Sequence, residues 1–339
     1  MASRTLISLA IAFLLALFVP PQPGRCAGAP RYQIAGLGGM PGFTEIEPVA
    51  MNSKEQIVGT MVRGEELHGF LWQKGRFTDL GLCHPVAIDD SGRILLDYKS
   101  QSYLWDNAIL LPLGELTSEG NEADAMNAKG DVVGAVGNQG KSNGIFLWTN
   151  YQIRRLPVKL PVMGNGPDAW TIDLTSINNQ DWVIGRTAPP NSDTRYDFLY
   201  ENGKTRLLLP KDSTVAWPEA INNKGWVLGD AKVRNKPITY AFLWRDGQFI
   251  QVGPGSDAES STGTALNDHG QVIGEVSAGE PAYTFFWQDG RRYDLDKLIV
   301  NGSGWSERHA VAIDNRGVIV GWGVYRGQDS LFLLTPITK

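Results

Sequence analysis

The sequence has little cysteine: its 339 residues include two, Cys26 and Cys83. Cys26 lies in an N-terminal segment that we expect to be removed, and the one cysteine that then remains cannot form an internal disulfide. An exported chain without disulfides depends on its own hydrophobic core, and the roughly 310 remaining residues are ample for one. We therefore expect a domain that is stable without cross-links.

Long apolar stretches are also scarce, and the one at the N-terminus is short. Arg4 precedes a mostly apolar stretch, Leu6 to Val19, which is followed by the breaker and small residues of PPQPGRCAGA. This order is typical of a secretory signal peptide, whereas a spanning helix needs about 20 apolar residues. We predict a signal peptide at residues 1–27 and a secreted or periplasmic protein, with no membrane insertion after signal removal.

Clusters of positive charge are missing as well. The chain has 31 Lys and Arg against 36 Asp and Glu, a formal net charge of −5. A mildly acidic protein without basic clusters is poorly suited to phosphate-rich partners, because it cannot neutralise their charge. We therefore expect no nucleic-acid partner and no binding to anionic lipid.

The sequence also lacks the motifs of known catalytic chemistry. GKSNG at residues 140–144 matches G-x-S-x-G, but it lies between two predicted strands and not at the strand-to-helix turn that exposes such a serine. The four histidines have no i, i+4 pair and no carboxylate at metal-ligand spacing. Turns such as IDDSG lack the regular ligand series of a calcium loop. We predict no cofactor and no metal, and the sequence names no catalytic residue.

What the chain does contain is a repeat. A motif typified by AINNKGWVLG occurs in seven copies, with separations of 37, 38, 51, 44, 45 and 47 residues. Each copy is followed by an aromatic and apolar tripeptide such as the FLW at 70–72 or at 242–244. The copies are anchored at Asn52, Asp89, Asn127, Asn178, Asn222, Asn267 and Asp314. Repeats of about 40–45 residues indicate an architecture of stacked units.

Each repeat contains two turn signals between short apolar runs. Asn or Asp opens the first turn well, because its side chain can bind a backbone N–H two residues later, and a glycine then supplies the positive φ. Glu55 and Asp181 replace that glycine in two copies, so those turns must tolerate strain or take another form. The second signal, as in RDG after AFLW, predicts another hairpin. One repeat is therefore a four-stranded antiparallel meander.

Seven such meanders predict a seven-bladed β-propeller, since one four-stranded sheet cannot bury both faces alone. The seventh repeat ends after its third strand, at SLFLLTPITK, and the mature chain begins with an orphan strand, RYQIAGLG. We expect the N-terminal strand to complete the last blade and to close the ring. The propeller would then be a single domain over residues 31–339. The FLW-type tripeptides would pack between blades.

The repeat resembles that of the bacterial extracellular HAF repeat family, most clearly in HGFLWQKGRFTDLG at residues 68–81. The resemblance covers nearly the whole mature chain. The His-Ala-Phe signature is imperfect: His68-Gly69-Phe70 keeps the histidine, and Tyr240-Ala241-Phe242 keeps the rest. The resemblance implies export and a propeller-like repeat, and it implies no activity and no site residue.

The long variable segments between repeats are where we expect a binding site. Strand alternation places both tight turns of each repeat on one face of the ring and the longer connections on the other, and binding usually occurs on such loops. These connections carry indoles and carboxylates: Trp170, Trp217, Trp305, Glu122, Asp168, Glu219 and Glu307. They suit a sugar stacked on tryptophan, or a cationic peptide held by charge and cation–π contacts. Packing and simple solvation also account for such residues.

Two functions remain open on the sequence alone. The first is a secreted, non-catalytic module that binds an extracellular glycan or polypeptide on its long-loop face. The alternative is an extracellular propeller enzyme, a polysaccharide or peptide hydrolase or lyase, in which two loop carboxylates converge. Carboxylate pairs near the central channel, one of them with a raised pKa, would favour the enzyme.

Overall fold

The computed structural model of the chain describes residues 29–99, 101–114, 121–138, 141–158, 171–189, 194–256, 259–277 and 282–337. The predicted signal peptide, residues 1–27, lies outside the described residues.

Seven four-stranded antiparallel sheets form a ring, so the chain is a seven-bladed β-propeller, as predicted. Blade 1 consists of β2 (Thr44–Met51), β3 (Ile57–Arg63), β4 (Glu66–Gln73) and β5 (Arg76–Gly81). Blade 2 consists of β6 (His84–Ile88), β7 (Ile94–Tyr98), β8 (Gln101–Asp106) and β9 (Ile109–Pro112). Blade 3 consists of β10 (Asn121–Met126), β11 (Val132–Asn138), β12 (Lys141–Thr149) and β13 (Gln152–Leu156).

The remaining blades follow the same order. Blade 4 consists of β14 (Thr171–Ile177), β15 (Val183–Ala188), β16 (Tyr196–Glu201) and β17 (Lys204–Leu207). Blade 5 consists of β18 (Ser213–Ile221), β19 (Val227–Val233), β20 (Thr239–Arg245) and β21 (Gln248–Gln251). Blade 6 consists of β22 (Ser260–Leu266), β23 (Val272–Ser277), β24 (Tyr283–Gln288) and β25 (Arg291–Asp294), followed by a short 3-10 helix (Asp296–Leu298). Blade 7 consists of β26 (Trp305–Ile313), β27 (Ile319–Tyr325), β28 (Gln328–Pro336) and β1 (Tyr32–Gly38).

The two ends of the chain share blade 7. β1 pairs antiparallel with β28, with Tyr32 opposite Pro336 and Ile34 opposite Leu334. The predicted closure by the N-terminal strand is therefore confirmed. The outer strand of the last blade comes from the start of the domain, and the ring has no open end.

The hydrophobic core lies between neighbouring blades. Trp72 and Phe70 of blade 1 pack in one cluster with Val320 and Leu333 of blade 7, and equivalent clusters recur around the ring. The phenylalanine of the tripeptide is fully buried in blades 1, 3, 4, 5 and 6. Because each blade face is covered by its neighbour, apolar burial stabilises the ring as a whole. The predicted packing role of these tripeptides is confirmed.

The asparagine that opens each motif forms hydrogen bonds in two directions. In blade 1, Asn52 Oδ1 accepts hydrogen bonds from the backbone N–H groups of Lys54 and Gln56, both at 3.0 Å, which shapes the turn. Its Nδ2 donates to the backbone oxygen of Asp89 in blade 2 at 2.9 Å. Asn127, Asn178, Asn222 and Asn267 repeat this contact to the next blade. The sequence predicted the turn but not the bond between blades.

Two blades have aspartate at this position, and aspartate has no side-chain donor. In blade 2, Arg93 binds Asp89 and donates to the backbone oxygen of Lys129 in blade 3 at 2.9 Å. In blade 7, Arg316 binds Asp314 and pairs with Glu55 of blade 1 at 3.0 Å. An arginine therefore replaces the missing amide donor in both blades, and polar contacts link all seven blades.

The two turns without glycine keep the same form and carry backbone strain. Glu55 has φ of 58° and Asp181 has φ of 61°, both in the left-handed region that favours glycine. Their N–H groups donate to Asn52 O and Asn178 O as the glycines do in other blades. Of the two outcomes that the sequence left open, the strained turn is the one found.

Candidate functional site

The two faces of the ring differ. We call the face with the first-to-second and third-to-outer strand turns the turn face, and the opposite one the connection face. At the turn face the axis holds a cavity of about 430 Å³, and its wall is formed largely by the asparagine motifs. Most of these side chains already bond to a neighbouring blade.

The structure corrects the boundaries of the predicted connections. Trp217 and Glu219 lie within β18, and Trp305 and Glu307 lie within β26, so they belong to the first strands of blades 5 and 7 and not to loops. Glu122 is in β10 of blade 3, and Trp170 and Asp168 fall outside the described residues. The loop assignment was wrong because these first strands begin earlier than the repeat motif does. Trp217 of blade 5 and Trp305 of blade 7 do not lie in neighbouring blades, because blade 6 stands between them.

A β-bulge in every first strand explains in part why residues of these strands were assigned to loops. The register of the first strand against the second shifts at the same point in all seven blades, for example between Pro48 and Ala50 and between Pro218 and Ala220. A bulge adds one residue to one strand and bends it. Glu219 is the added residue in blade 5. The extra residue breaks the alternation by which a strand is recognised in sequence.

Trp305 borders a cleft on the connection face of blade 7. The cleft has a volume of about 460 Å³ and is lined by residues of all four strands and of the preceding connection, namely Ile34, Gly36, Gly38, Asn301, Ser303, Trp305, Tyr325 and Ser330. The Trp305 and Tyr325 rings are 5.0 Å apart between centroids, and Trp305 meets Phe332 edge-on at 5.4 Å. Gly36 and Gly38 have no side chains, so the part of the wall that they form is bare backbone. An aromatic wall beside bare backbone, in a volume of this size, suits an organic ligand.

Glu219 belongs to a group of acidic residues around the first strands of blades 4 and 5. Burial raises the pKa of Glu219, and Arg186, with Nη2 at 3.8 Å, opposes this. Burial also raises the pKa of Asp197 to about 6 and that of Asp230 to about 7, and the charge of Glu219 adds to both shifts. Asp197 and Asp230 were missed by the sequence reasoning.

Both missed carboxylates also join neighbouring blades. Asp197 Oδ2 accepts a hydrogen bond from Ala216 N at 3.3 Å, from blade 4 to blade 5, and Asp230 Oδ1 accepts one from Gly263 N at 2.7 Å, from blade 5 to blade 6. The available signal was a charged residue inside an otherwise apolar strand, as in YDFLY and VLGD. Buried charges of this kind usually have a partner.

A second aromatic pair lies in the first two strands of blade 7, β26 and β27. The His309 ring stacks on Trp322 with centroids 4.6 Å apart and planes at 22°, and its Nδ1 lies 3.0 Å from Glu275 Oε1. His309 and Glu275 are both about half exposed. This arrangement connects blade 6 to blade 7 and offers a polar edge to solvent.

No group of three or more His, Cys, Asp and Glu side chains is placed to hold a metal ion within the residues that the structure describes. Across the described ranges no helix is both long and apolar enough to cross a membrane.

Comparison with known proteins shows the fold and no family. No protein-family model matches the sequence, and no curated protein is similar to it. A prolyl endopeptidase structure is similar, with a TM-score of 0.53, 9% identity, and coverage of 91% of this chain and 51% of that one. An acylaminoacyl peptidase is similar with a TM-score of 0.50, 10% identity, and coverage of 84% and 50%.

Porphyromonas gingivalis dipeptidyl peptidase 4 is similar to the same degree. Its TM-score is 0.50 at 10% identity, with coverage of 88% of this chain and 53% of that chain. The chain therefore spans about half the length of each of these three enzymes. At such low identity the likeness concerns the propeller alone.

Proposed function

We propose that this protein is a secreted, non-catalytic propeller of the HAF repeat type that binds an extracellular glycan or polypeptide on its connection face. The observation that carries the proposal is the cleft of blade 7, which places Trp305, one of the tryptophans singled out in the sequence, beside Tyr325 and bare glycine backbone. Aromatic side chains of this kind supply large contact areas for a ligand at low entropic cost.

The proposal is tested by screening the purified mature protein against arrays of extracellular glycans and of peptides. Trp305→Ala is expected to reduce binding at least tenfold, since the indole contributes more than about 1.4 kcal/mol of contact energy. The control is Tyr151→Ala, an aromatic residue 65% exposed on the turn face. Thermal unfolding of both variants excludes global damage. Binding that survives Trp305→Ala and Tyr325→Ala alike would place the ligand elsewhere.

One observation favours the alternative, an extracellular propeller enzyme that uses carboxylates. Asp197 and Asp230 are buried carboxyls with pKa values of about 6 and 7, and such values suit general acids. Their bonds to Ala216 N and Gly263 N give both a structural role, which is why binding remains the first proposal. Hydrolysis of a polysaccharide or peptide that is lost in Asp230→Asn, with folding intact, would favour the enzyme.

A further inference from the structure

The outer edge of β1 is already paired along part of its length. In an antiparallel pair, alternate residues of a strand direct their N–H and C=O groups away from the partner. In β1 these are Tyr32, Ile34 and Gly36, because Ile34 N donates to Asn301 Oδ1 at 2.9 Å and Tyr32 O accepts from Val300 N at 3.0 Å. The segment before β26 therefore begins to add a strand to blade 7.

Asn301 acts at this edge as a substitute for a peptide group. Its Oδ1 accepts from Ile34 N and its Nδ2 donates to Ile34 O at 3.2 Å, the two bonds that a neighbouring strand would make. The chain then turns away through Gly302 towards Trp305. Gly36 is the next outward-facing residue and it is exposed, and outside the strand ladders no backbone hydrogen bond to its N–H or C=O is found among the described residues.

The position of Gly36 differs from its equivalents in the other blades. It lies opposite Phe332 of the third strand. The residues opposite the matching aromatic residue in the other outer strands are Asp79, Pro112, Arg155, Leu207, Gln251 and Asp294. Charged residues and proline are the usual means by which edge strands avoid pairing. Three of the six are charged and one is proline, whereas blade 7 alone has glycine, which places no side chain beside the edge backbone.

This open edge lies in the wall of the cleft beside Trp305 and Tyr325. We infer that β1 accepts an extended polypeptide segment, whose backbone pairs with Gly36 while one apolar or aromatic side chain lies against Trp305 and Tyr325. The inference rests on the proposed function and names a polypeptide as its ligand. Strand addition of this kind draws affinity from main-chain hydrogen bonds and specificity from a side-chain pocket.

The polar groups of the cleft favour a peptide over a sugar. Ser330 Oγ accepts from Gly38 N at 3.1 Å and donates to Leu331 O at 3.0 Å, and the Asn301 amide is bound to Ile34. A sugar ring requires several donors and acceptors around its hydroxyls, and with these two side chains committed the lining retains only the hydroxyls of Ser303 and Tyr325 and the indole N–H of Trp305. The backbone of Gly36 offers one donor and one acceptor in the spacing that a peptide group matches.

The experiment is a selection of heptapeptides from a random displayed library against the mature protein. Selected peptides are expected to carry an apolar or aromatic residue next to the paired position. N-methylation of the peptide nitrogen that faces Gly36 O is expected to weaken binding about tenfold, which corresponds to one hydrogen bond and its orphaned acceptor. Hydrogen exchange of the Gly36 amide is expected to slow on addition of the peptide.

Gly36→Pro is the decisive variant, because proline removes the outward N–H without breaking the bonds to β28. Pro112 of blade 2 shows that the fold accepts proline at this position. We expect at least tenfold weaker peptide binding and unchanged thermal unfolding. Gln251→Pro makes the same change on blade 5 and is expected to leave binding unchanged. Gly36→Ala keeps the N–H, and its new Cβ would lie 3.2 Å from Trp305 Cζ2, so it tests crowding alone.

The possible outcomes separate this inference from the proposed function. Peptide binding that is insensitive to both Gly36→Pro and N-methylation would overturn strand addition, and so would a library that yields no peptide. Glycan binding that depends on Trp305, without any peptide, would retain the proposed function and reject this inference. If neither arrayed glycans nor peptides bind, both are rejected.

Discussion

The carboxylate of Asp230 accepts a hydrogen bond from the backbone N–H of Gly263 at 2.7 Å and so joins blade 5 to blade 6. The same carboxylate is 7% exposed, and burial raises its pKa to about 7. One side chain therefore makes a contact between blades and carries an electrostatic penalty when it is ionised.

Asp230→Asn is expected to stabilise the protein at alkaline pH. Because the pKa of Asp230 is raised in the folded state, its favourable contribution is complete below about pH 4 and is lost as the pH rises through about 7. Asparagine keeps an acceptor for Gly263 N and has no such loss. We expect a gain on the order of 2 kcal/mol at pH 8 and little difference at pH 4.

The measurement is urea unfolding across that pH range. Asp246→Asn, at the exposed turn between β20 and β21, is the control and should leave the pH dependence unchanged. If wild type and Asp230→Asn lose stability in parallel between pH 4 and pH 8, the buried carboxyl is not the cause.

Asn267→Asp tests the bonds that link the blades. The change removes the Nδ2 donor to Asp314 O, now at 2.8 Å, and leaves that carbonyl without its partner. We expect a loss of about 1–3 kcal/mol in the free energy of unfolding. Adding Gln271→Arg, which copies the Asp89 and Arg93 pair of blade 2, should restore most of it. A double variant no more stable than the single one would show that the arginine does not replace the amide.

Asp181→Gly is expected to stabilise the turn of blade 4. Glycine adopts the φ of 61° without strain, and the change also removes a carboxylate whose pKa is raised by burial. The gain should be about 1 kcal/mol in thermal or urea unfolding. Glu55→Gly relieves similar strain but loses an ion pair with Arg316 at 3.0 Å, which is shorter than the 3.7 Å pair with Lys129 that Asp181→Gly loses, so its gain should be smaller. Destabilisation by both variants would contradict a strained turn.

Removal of residues 29–38 tests the closure of the ring. The variant lacks β1, so the outer side of β28 and the apolar contacts of Tyr32 and Ile34 are exposed. We expect a large drop in thermal stability and concentration-dependent self-association, because an unprotected edge pairs with other chains. A synthetic peptide of residues 29–38 should restore the thermal unfolding transition of the intact protein. Unchanged stability would mean that β1 is dispensable.

The repeat made the fold predictable, because the turn residues and the FLW-type tripeptides mark three strands of each blade directly. The first strands were not predictable in the same way. Glu219 is the bulge residue of β18 and Trp217 lies two residues before it, where neither the repeat nor the alternation holds. The pairing of Asn301 with Ile34 and of Asp230 with Gly263 depends on how distant segments are brought together, and no local pattern encodes that.

Because both ends of the domain contribute to blade 7, this blade also determines when the ring can close. Ile34 pairs with Leu334, so the ring cannot close until almost the entire chain is available. Contacts this distant in sequence are slow to form, because their loop-closure entropy is lost before they add stability. An intermediate that lacks this last step presents the outer side of β28 to solvent. Release of β28 from the ribosome is therefore the step that lets β1 cover this side.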